Sequence, residues 1–231
     1  MVVNKAGRVV LVVLCGGMAL AQQRTISARA GTINFQQGAV SVDNQRVRFP
    51  YGYHPPFQMK NGQVLRIENG RVELLLGAGV YLRMLGPSAI RMQETQLADA
   101  RVFVEEGSAL IEIAGMNNDA RLRVICGDGT TELKRNGWYR FEAPSEGMPA
   151  RLRIYSGDAT IEHDGRIMKG TAGQSVTLSA RSETAKFDLK ESDALQAWAS
   201  RRSQRRIQSE QRLAEMRAME RAKRRAEIED R

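Results

Sequence analysis

Apolar and polar residues alternate on both sides of a glycine-rich turn in the segment RVELLLGAGVYLRMLG, residues 71–86. The apolar residues share even positions: Val72, Leu74, Leu76, Val80, Leu82 and Met84. This period of two is typical of β-strands, and Gly77-Ala78-Gly79 indicates a three-residue hairpin loop. The predicted cross-strand pairs are Val72 with Met84, Leu74 with Leu82, and Leu76 with Val80. Glu73 and Arg83 argue against a membrane helix, which needs about 20 apolar residues.

A second pattern recurs around Gly38, Gly107 and Gly157. In INFQQGAVSV, VFVEEGSALI and LRIYSGDATI, apolar residues lie five and three positions before the glycine and two and four after it. The twelve positions are Ile33, Phe35, Val40, Val42, Val102, Val104, Ala109, Ile111, Leu152, Ile154, Ala159 and Ile161. The apolar residues therefore change from odd to even offsets at the glycine. A two-residue hairpin loop pairs an odd position with an even one, so this change predicts three hairpins, each with one apolar face.

Turn dipeptides divide the chain into short strands up to about residue 187, namely Asn61-Gly62, Asn69-Gly70, Asn136-Gly137 and Asp164-Gly165. Several one-faced hairpins must pack their apolar sides together. The sequence therefore predicts a mainly β fold, in which antiparallel hairpins form a rolled sheet, a solenoid-like barrel or a sandwich, followed by a C-terminal α-helix. The predicted domains are a signal peptide over 1–21, a β-domain over 22–187 and a basic helix or tail over 188–231.

Residues 1–21 have the features of a secretory signal peptide. Lys5 and Arg8 precede a short apolar stretch. The predicted cleavage site comprises Ala19, Ala21 and, as the first mature residue, Gln22. The alternatives are an uncleaved anchor, a buried first strand, or a lipoprotein modified at Cys15. We expect an exported protein, periplasmic or extracellular, with no transmembrane span in the mature chain.

Cleavage would leave Cys126 as the single cysteine, so no intramolecular disulfide is expected. Cys126 ends the strand RLRVIC, and the prediction is a buried small hydrophobe rather than a reactive thiol. The whole chain has a formal net charge of +9. A basic exported protein meets anionic lipids, glycans or envelope polymers before it meets nucleic acid.

The last 44 residues, from Asp188, contain no glycine or proline and are rich in Ala, Arg, Glu and Gln, which predicts a helix. Asp188 and Glu191 suggest a capping box. Leu195 and Trp198, at positions i and i+3, are expected to dock the first turns on the β-domain.

Beyond Arg201 the apolar residues of the predicted helix keep no heptad, which argues against a long coiled coil. Residues 201–231 carry 11 basic and six acidic side chains. They predict either a solvated helical tail or a basic arm that contacts anionic envelope material or an acidic face of a partner. The candidate arm residues are Arg201, Arg202, Arg205 and Arg206.

Four segments resemble the extracytoplasmic FecR domain: residues 61–92, 97–115, 122–141 and 152–178. They follow its order of a G-R-V-E-L-L-L strand, a glycine turn, an L-R-L-G-P-N-S segment, a G-x-A-x-V-E-V strand and a late G-x-V-x-V … L-x-A-G-Q-x-V segment. In this chain these motifs correspond to residues 70–76, 82–88, 107–113 and 157–176. FecR proteins are envelope regulators with a cytoplasmic anti-sigma segment, one membrane helix and a periplasmic β-domain. Only 21 residues precede the predicted cleavage site here, so the resemblance implies a stand-alone exported form without the anti-sigma segment.

The sequence shows no catalytic motif. The histidines are His54 and His163, without spaced cysteines, so neither a metal site nor a cofactor is expected. The candidate binding residues are aromatic: Tyr51, Tyr53, Phe57 and Trp138. Their alternative role is to cap the end of the β-core.

We therefore expect a protein that is not an enzyme but a binding, sensing or scaffolding module of the cell envelope. Its partner would be an envelope protein or an anionic envelope polymer, and nucleic acid is not expected. The alternative is an enzyme that acts on envelope polysaccharide or peptidoglycan on a β-scaffold. The sequence leaves the oligomeric state open.

Overall fold

The computed structural model describes residues 30–47, 57–116 and 119–229. These residues form fifteen strands and one helix. The elements are β1 (Thr32–Val42), β2 (Gln45–Arg46), β3 (Val64–Gly77), β4 (Val80–Leu85), β5 (Ser88–Glu94), β6 (Asp99–Glu106), β7 (Ser108–Ile113), β8 (Arg121–Cys126), β9 (Gly129–Leu133), β10 (Gly137–Glu142), β11 (Arg151–Ser156), β12 (Asp158–His163), β13 (Arg166–Thr171), β14 (Gln174–Thr177), β15 (Thr184–Lys186) and α1 (Ala194–Glu229).

The described strands belong to one hydrogen-bonded sheet that curls into a half-barrel. Its order is β13-β12-β9-β8-β6-β5-β3-β4-β7-β10-β11-β14-β15, with β1 paired to both β2 and β3. The pairs are antiparallel except for β6 with β8, which is parallel. The hydrophobic core lies inside the curl and draws side chains from strands along its whole length. This confirms the predicted mainly β fold, its rolled sheet and its C-terminal helix.

The hairpin of β3 and β4 agrees with the predicted register except at its tip. Val72 lies opposite Met84, and Leu74 lies opposite Leu82. The predicted pair of Leu76 with Val80 is wrong, because the register shifts before the turn and Gly77 lies opposite Val80. The shift shortens the loop to two residues and leaves Leu76 unpaired at a bulge, where it remains buried.

The three predicted glycine hairpins are wrong, because the chain does not reverse at these glycines. β1 continues through Gly38 along β3, where Gly38 lies opposite Gly70. β6 and β7, joined by Gly107, pair with different neighbours: β6 with β5 and β8, β7 with β4 and β10. β11 and β12, joined by Gly157, also pair with different neighbours: β11 with β10 and β14, and β12 with β9 and β13. Each glycine joins two strand segments that go on to different parts of the curl.

The switch of apolar phase at these glycines is nevertheless real. Gly38, Gly107 and Gly157 have φ values of 92°, 72° and 87°, a left-handed conformation that turns the strand and advances the side-chain alternation by one residue. Because of this turn, the apolar residues on both sides of the glycine face the same core. All twelve predicted core positions are buried except Phe35.

Phe35 lies on the outer face of the sheet for a local reason. The ladder between β1 and β3 shifts register between Ile33 and Phe35, so Ile33 lies opposite Leu74 and Phe35 lies opposite Glu73. Ile33 therefore points into the core, whereas Phe35 is half-buried against α1.

Gly107 also sits too close to its neighbours for any side chain. A Cβ atom there would lie 2.2 Å from the Oγ of Ser88 and 2.4 Å from the carbonyl oxygen of Pro87. Gly62, which also has a positive φ, has open space around the same position. The bend at Gly107 thus requires glycine for two independent reasons, backbone conformation and close packing.

α1 begins later than the predicted capping box. The Oδ1 of Asp193 accepts a hydrogen bond of 2.9 Å from the backbone N–H of Gln196, which makes Asp193 the N-cap. Asp188 instead accepts a 2.8 Å bond from the N–H of Lys190, in a turn before the helix. The predicted cap at Asp188 and Glu191 is therefore wrong, since the polar turn at Asp188 ends before α1 starts.

Only the first turns of α1 pack on the sheet. Leu195, Trp198 and Ala199 are buried against Leu110, which confirms the predicted docking of Leu195 and Trp198. Every residue from Ile207 to Ile228 is exposed. At 1.5 Å per residue, this distal part of α1 extends for about 33 Å. In the part of the chain that the structure describes, no helix is both long and apolar enough to cross a bilayer.

Candidate functional site

Three charged side chains are buried on the outer face of the sheet, beneath α1. Glu73 on β3, Arg83 on β4 and Glu112 on β7 are 2%, 1% and 4% exposed. Their positions follow from strand alternation: Val72 and Leu74 point into the core, so Glu73 points outward. The register places Glu73 directly opposite Arg83 on the neighbouring strand.

The guanidinium group of Arg83 bridges the two carboxylates. Its Nε donates to Oε2 of Glu73 at 2.6 Å, and its Nη1 donates to Oε2 of Glu112 at 2.7 Å. The side-chain amide of Asn34 donates to Oε1 of Glu73 at 2.7 Å. The sheet alone therefore presents two buried acidic groups and one basic group, a local excess of negative charge.

α1 supplies the charges that balance this excess. Arg202 donates to both carboxylate oxygens of Glu73. Arg206 donates from Nη2 to Oε1 of Glu112 at 3.0 Å, and the hydroxyl of Ser203 donates to the same carboxylate. Arg202 and Arg206 are four residues apart, so they lie on one face of the helix. We call this set the charge cluster: Glu73, Arg83, Glu112, Arg202, Ser203 and Arg206.

Aromatic rings cover the arginines of the charge cluster. The guanidinium carbon of Arg202 lies 4.7 Å from the ring centroid of Phe35. The guanidinium carbons of Arg206 and Arg83 lie 5.1 Å and 5.3 Å from the ring centroid of Tyr81. Cation–π contacts of this kind stabilise a cation that has lost part of its hydration.

The electrostatics of the charge cluster favour the ionised form of Glu73. Burial raises the pKa of Glu73, but hydrogen bonds from Arg202, Arg83 and Asn34, together with the charge of Arg83, lower it below its ordinary value of 4.5. Glu73 is therefore ionised at neutral pH, and both of its oxygens already accept hydrogen bonds. A carboxylate in this state is poorly suited to proton transfer and well suited to holding an arginine-bearing helix.

The structure accounts separately for each arginine of the predicted basic arm. Arg202 and Arg206 belong to the charge cluster, so their charges are used within the molecule. Arg201 and Arg205 are exposed. Contacts between these four residues and a partner stay a prediction, and only Arg201 and Arg205 are available for them without opening the cluster.

The predicted aromatic binding residues are also dispersed. Trp138 is half-buried and packs against the cluster of Leu110, Leu195, Trp198 and Ala199 under α1. Phe57 is half-buried against the main core. Tyr51 and Tyr53 lie outside the described residues, as do the predicted cleavage residues Ala19, Ala21 and Gln22. The two aromatic residues that the structure places thus serve packing, and their role in binding remains a prediction.

The sequence reasoning missed the charge cluster, although two signals were present. The predicted pairs Val72 with Met84 and Leu74 with Leu82 already imply that Glu73 faces Arg83. Glu112 is a single charge in the apolar run ALIEI, which points to a buried partner. No sequence pattern, however, joins either glutamate to Arg202, which lies 129 residues beyond Glu73.

Cys126 is fully buried, as predicted, and its thiol donates to the carbonyl oxygen of Glu142 at 3.3 Å. Burial raises the pKa of Cys126 to about 12, so the thiol is protonated at neutral pH. Among the residues that the structure describes, no three His, Cys, Asp or Glu side chains come together as a metal-binding group.

Comparisons with known proteins return a distant structural likeness. No protein-family model matches the chain, and no curated protein matches its sequence. Two crystal structures, at 1.65 Å and 2.50 Å resolution, of a protein described as a "putative anti-sigma factor" from Parabacteroides distasonis ATCC 8503 align with a TM-score of 0.45. Their identity to this chain is 12% and 13%, and the alignment covers 54% of this chain and 59% of that one. The fold and the contacts described above define a curled β-domain that holds a long helix through buried charges.

Proposed function

We propose that this protein is a non-catalytic, exported binding and scaffolding module of the cell envelope, in which a FecR-like β-domain presents the distal part of α1 to a partner. One observation carries the proposal: residues 207–228 of α1 are exposed along their whole length, whereas the preceding turns are anchored by buried residues.

Buried contacts fix the first turns of α1 on the sheet, and a solvated tail would not require them. Trp198 is buried, with its ring centroid 6.0 Å from that of Phe35, and Arg202 and Arg206 each bind a buried carboxylate. These contacts hold the first turns of α1 in one orientation on the sheet. The distal part of the same helix consequently extends from turns that are fixed on the sheet.

The distal part of α1 has little to stabilise it within the molecule. Among its described residues, Glu220 pairs with Arg224 at i,i+4, and Glu210 pairs with Arg206 of the charge cluster; each such pair contributes only about 0.2–0.5 kcal/mol. Most helical stability in proteins comes from packing of one helix face. A partner that covers this segment would supply that packing.

The exposed side chains favour a protein partner with an acidic patch. The apolar ones are Ile207, Leu213, Met216, Met219 and Ile228. Arg217, Arg221 and Arg224 follow at i, i+4 and i+7, and therefore share one face. A surface that combines apolar and basic groups matches an envelope protein, while an anionic envelope polymer would use the arginines alone.

A site-specific crosslinking experiment tests the proposal. A photoreactive amino acid is placed at Met216, on the distal part of α1, or as a control at the exposed Gln45 on β2, and each protein is illuminated in intact cells. We expect a discrete adduct in the envelope fraction from Met216 and none from Gln45. The same adducts from both positions, or none from Met216 in a properly exported protein, would contradict the proposed role of α1.

The compartment requires its own measurement, since the predicted signal peptide lies outside the described residues. N-terminal sequencing of the protein recovered from the periplasmic fraction should begin at Gln22. Recovery of an unprocessed chain from the cytoplasm would contradict export. An adduct at Met216 would then indicate a cytoplasmic partner.

A further inference from the structure

We propose that a cavity between β12, β13 and the segment before β15 is a binding site for a phosphomonoester group. The cavity has a volume of about 380 Å³. Its polar wall is formed by His163, Arg166, Arg181 and Ser182, and its apolar wall includes Ile161 and Met168. None of the lining residues belongs to α1, so the inference is independent of the proposed role of the helix.

One ring nitrogen of His163 makes no hydrogen bond among the described residues, although a carboxylate lies beside it. The side chain is 8% exposed, and its Nδ1 lies 3.1 Å from the carbonyl oxygen of Asp128. A carbonyl oxygen only accepts hydrogen bonds, so Nδ1 carries a proton in this contact. The Nε2 atom is buried and has no hydrogen-bond partner among the described residues. Buried polar atoms of this kind require an explanation, and a bound group is one.

The charge of the cavity favours an anion. Arg166 and Arg181 line it, and neither guanidinium lies within 4 Å of a carboxylate in the part of the chain that the structure describes. Asp164 is an acidic neighbour of the cavity: its Oδ2 is 3.2 Å from Nε2 of His163, without hydrogen-bond geometry, and its side chain is 79% exposed. Asp164 can therefore turn to solvent when an anion enters.

A phosphoryl group matches these polar atoms better than a carboxylate. Its three terminal oxygens can accept from both arginines and still leave one oxygen for a further donor, whereas a carboxylate has only two oxygens. The apolar side chains Ile167 and Met168, which also line the cavity, would contact the organic part of a monoester, which inorganic phosphate lacks.

Histidine NMR provides a direct test, because the chain has only two histidines. In a His54→Gln background, the Cε1–H signal of His163 is followed at constant pH during titration with n-butyl phosphate, inorganic phosphate or n-butanol. We expect a saturable shift with n-butyl phosphate and a Kd of about 1 mM or lower, weaker binding of inorganic phosphate, and none of n-butanol.

Variants identify the groups responsible. Arg166→Ala and Arg181→Ala should each weaken binding about tenfold, and Asp164→Asn should strengthen it, because it removes a competing negative charge. Arg121→Ala is the control, since Arg121 is also an exposed arginine with no carboxylate within 4 Å among the described residues but lines a different cavity. A linear, unsaturated shift, or equal affinities for the Arg181→Ala and Arg121→Ala proteins, would overturn the proposal.

The source of the phosphomonoester is distinguished in a second arm. Phosphatidylcholine vesicles with and without phosphatidic acid, whose headgroup is a phosphomonoester, are sedimented with the protein. Co-sedimentation that requires phosphatidic acid and is lost in Arg181→Ala would identify a lipid headgroup. Saturable binding of n-butyl phosphate without co-sedimentation would identify a soluble ligand. Failure in both arms would overturn the site while leaving the function proposed for α1 intact.

Discussion

Replacement of Arg83 by methionine tests whether the charge cluster holds the protein together. Arg83 is 1% exposed and, among the residues that the structure describes, is the only group that bonds to both glutamates of the cluster. Methionine keeps most of the side-chain volume and removes the charge. The substitution leaves two buried carboxylates with one positive bridge fewer.

The magnitude follows from what each carboxylate retains. Breaking a buried ion pair by removing one partner costs about 3–5 kcal/mol. Glu73 still has Arg202 and Asn34, and Glu112 still has Arg206 and Ser203, so we expect the lower end, about 3 kcal/mol. For a chain of this size, this corresponds to a fall in Tm of about 6–12 °C.

The assay is thermal unfolding followed by circular dichroism, with Arg91→Met as the matched control. Arg91 also lies on a strand and pairs with a glutamate, Glu105, at 2.7 Å, but its side chain is 42% exposed. Exposed pairs contribute only about 0–1 kcal/mol, so this control should lose at most about 4 °C. Equal Tm values for the Arg83→Met and Arg91→Met proteins would refute the reasoning.

A triple variant distinguishes lost charge balance from lost packing. In Glu73→Gln/Arg83→Met/Glu112→Gln the uncompensated carboxylates are gone, and Arg202 and Arg206, which are partly exposed, can be hydrated. We expect the triple variant to be more stable than Arg83→Met alone. If it is less stable, the cost in the single variant lies in packing around the methionine instead.

Four further results are expected. The pKa of Glu73 is lowered from 4.5 in the folded protein, so its carboxylate stabilises the fold above that pH and this stabilisation is lost as the pH falls through the lowered pKa. In Glu73→Gln, the free energy of unfolding measured in urea should therefore fall less between pH 7 and about pH 3 than in the unsubstituted protein. An equal fall in both proteins would contradict this. Gly107→Ala should destabilise more than Gly62→Ala, by at least about 1 kcal/mol, since both positions have positive φ but only Gly107 would clash; equal losses would exclude the close packing. Cys126, with a pKa of about 12, should resist thiol alkylation at neutral pH until the protein is unfolded in guanidinium, and rapid native labelling would show otherwise. Truncation after Glu215, which keeps Arg206 and its partner Glu210 within the helix, should change Tm by less than about 2 °C, because the segment removed is exposed; a larger loss would mean that it packs on the domain.

The sequence predicted which residues of the β-domain are buried better than it predicted how the strands connect. The phase switch at Gly107 correctly identified one apolar face on both sides of the glycine. It did not show whether the chain reverses or crosses the sheet, because a tight turn and a bend within a strand both shift the alternation by one residue. The predicted hairpins failed for this reason.

The helix shows the same division. Its presence and the docking of Leu195 and Trp198 were predictable from composition and i,i+3 spacing. The residue at which the helix starts was not predictable, because both Asp188 and Asp193 have the local sequence of an N-cap. Of the two, only Asp193 lies where Arg140 on β10 can pair with it. The tertiary contact selects between two local signals of similar strength.

The amino-acid sequence by itself determined the alternation that makes the strands, the glycines that bend them and the long polar helix, since these depend on residues a few positions apart. Only the tertiary structure decided the strand order, the burial of Glu73 and Glu112, and their pairing with Arg202 and Arg206. Charge pairing across more than a hundred residues depends on which surfaces the curled sheet brings together, and a linear pattern of charges reads equally well as a solvated surface.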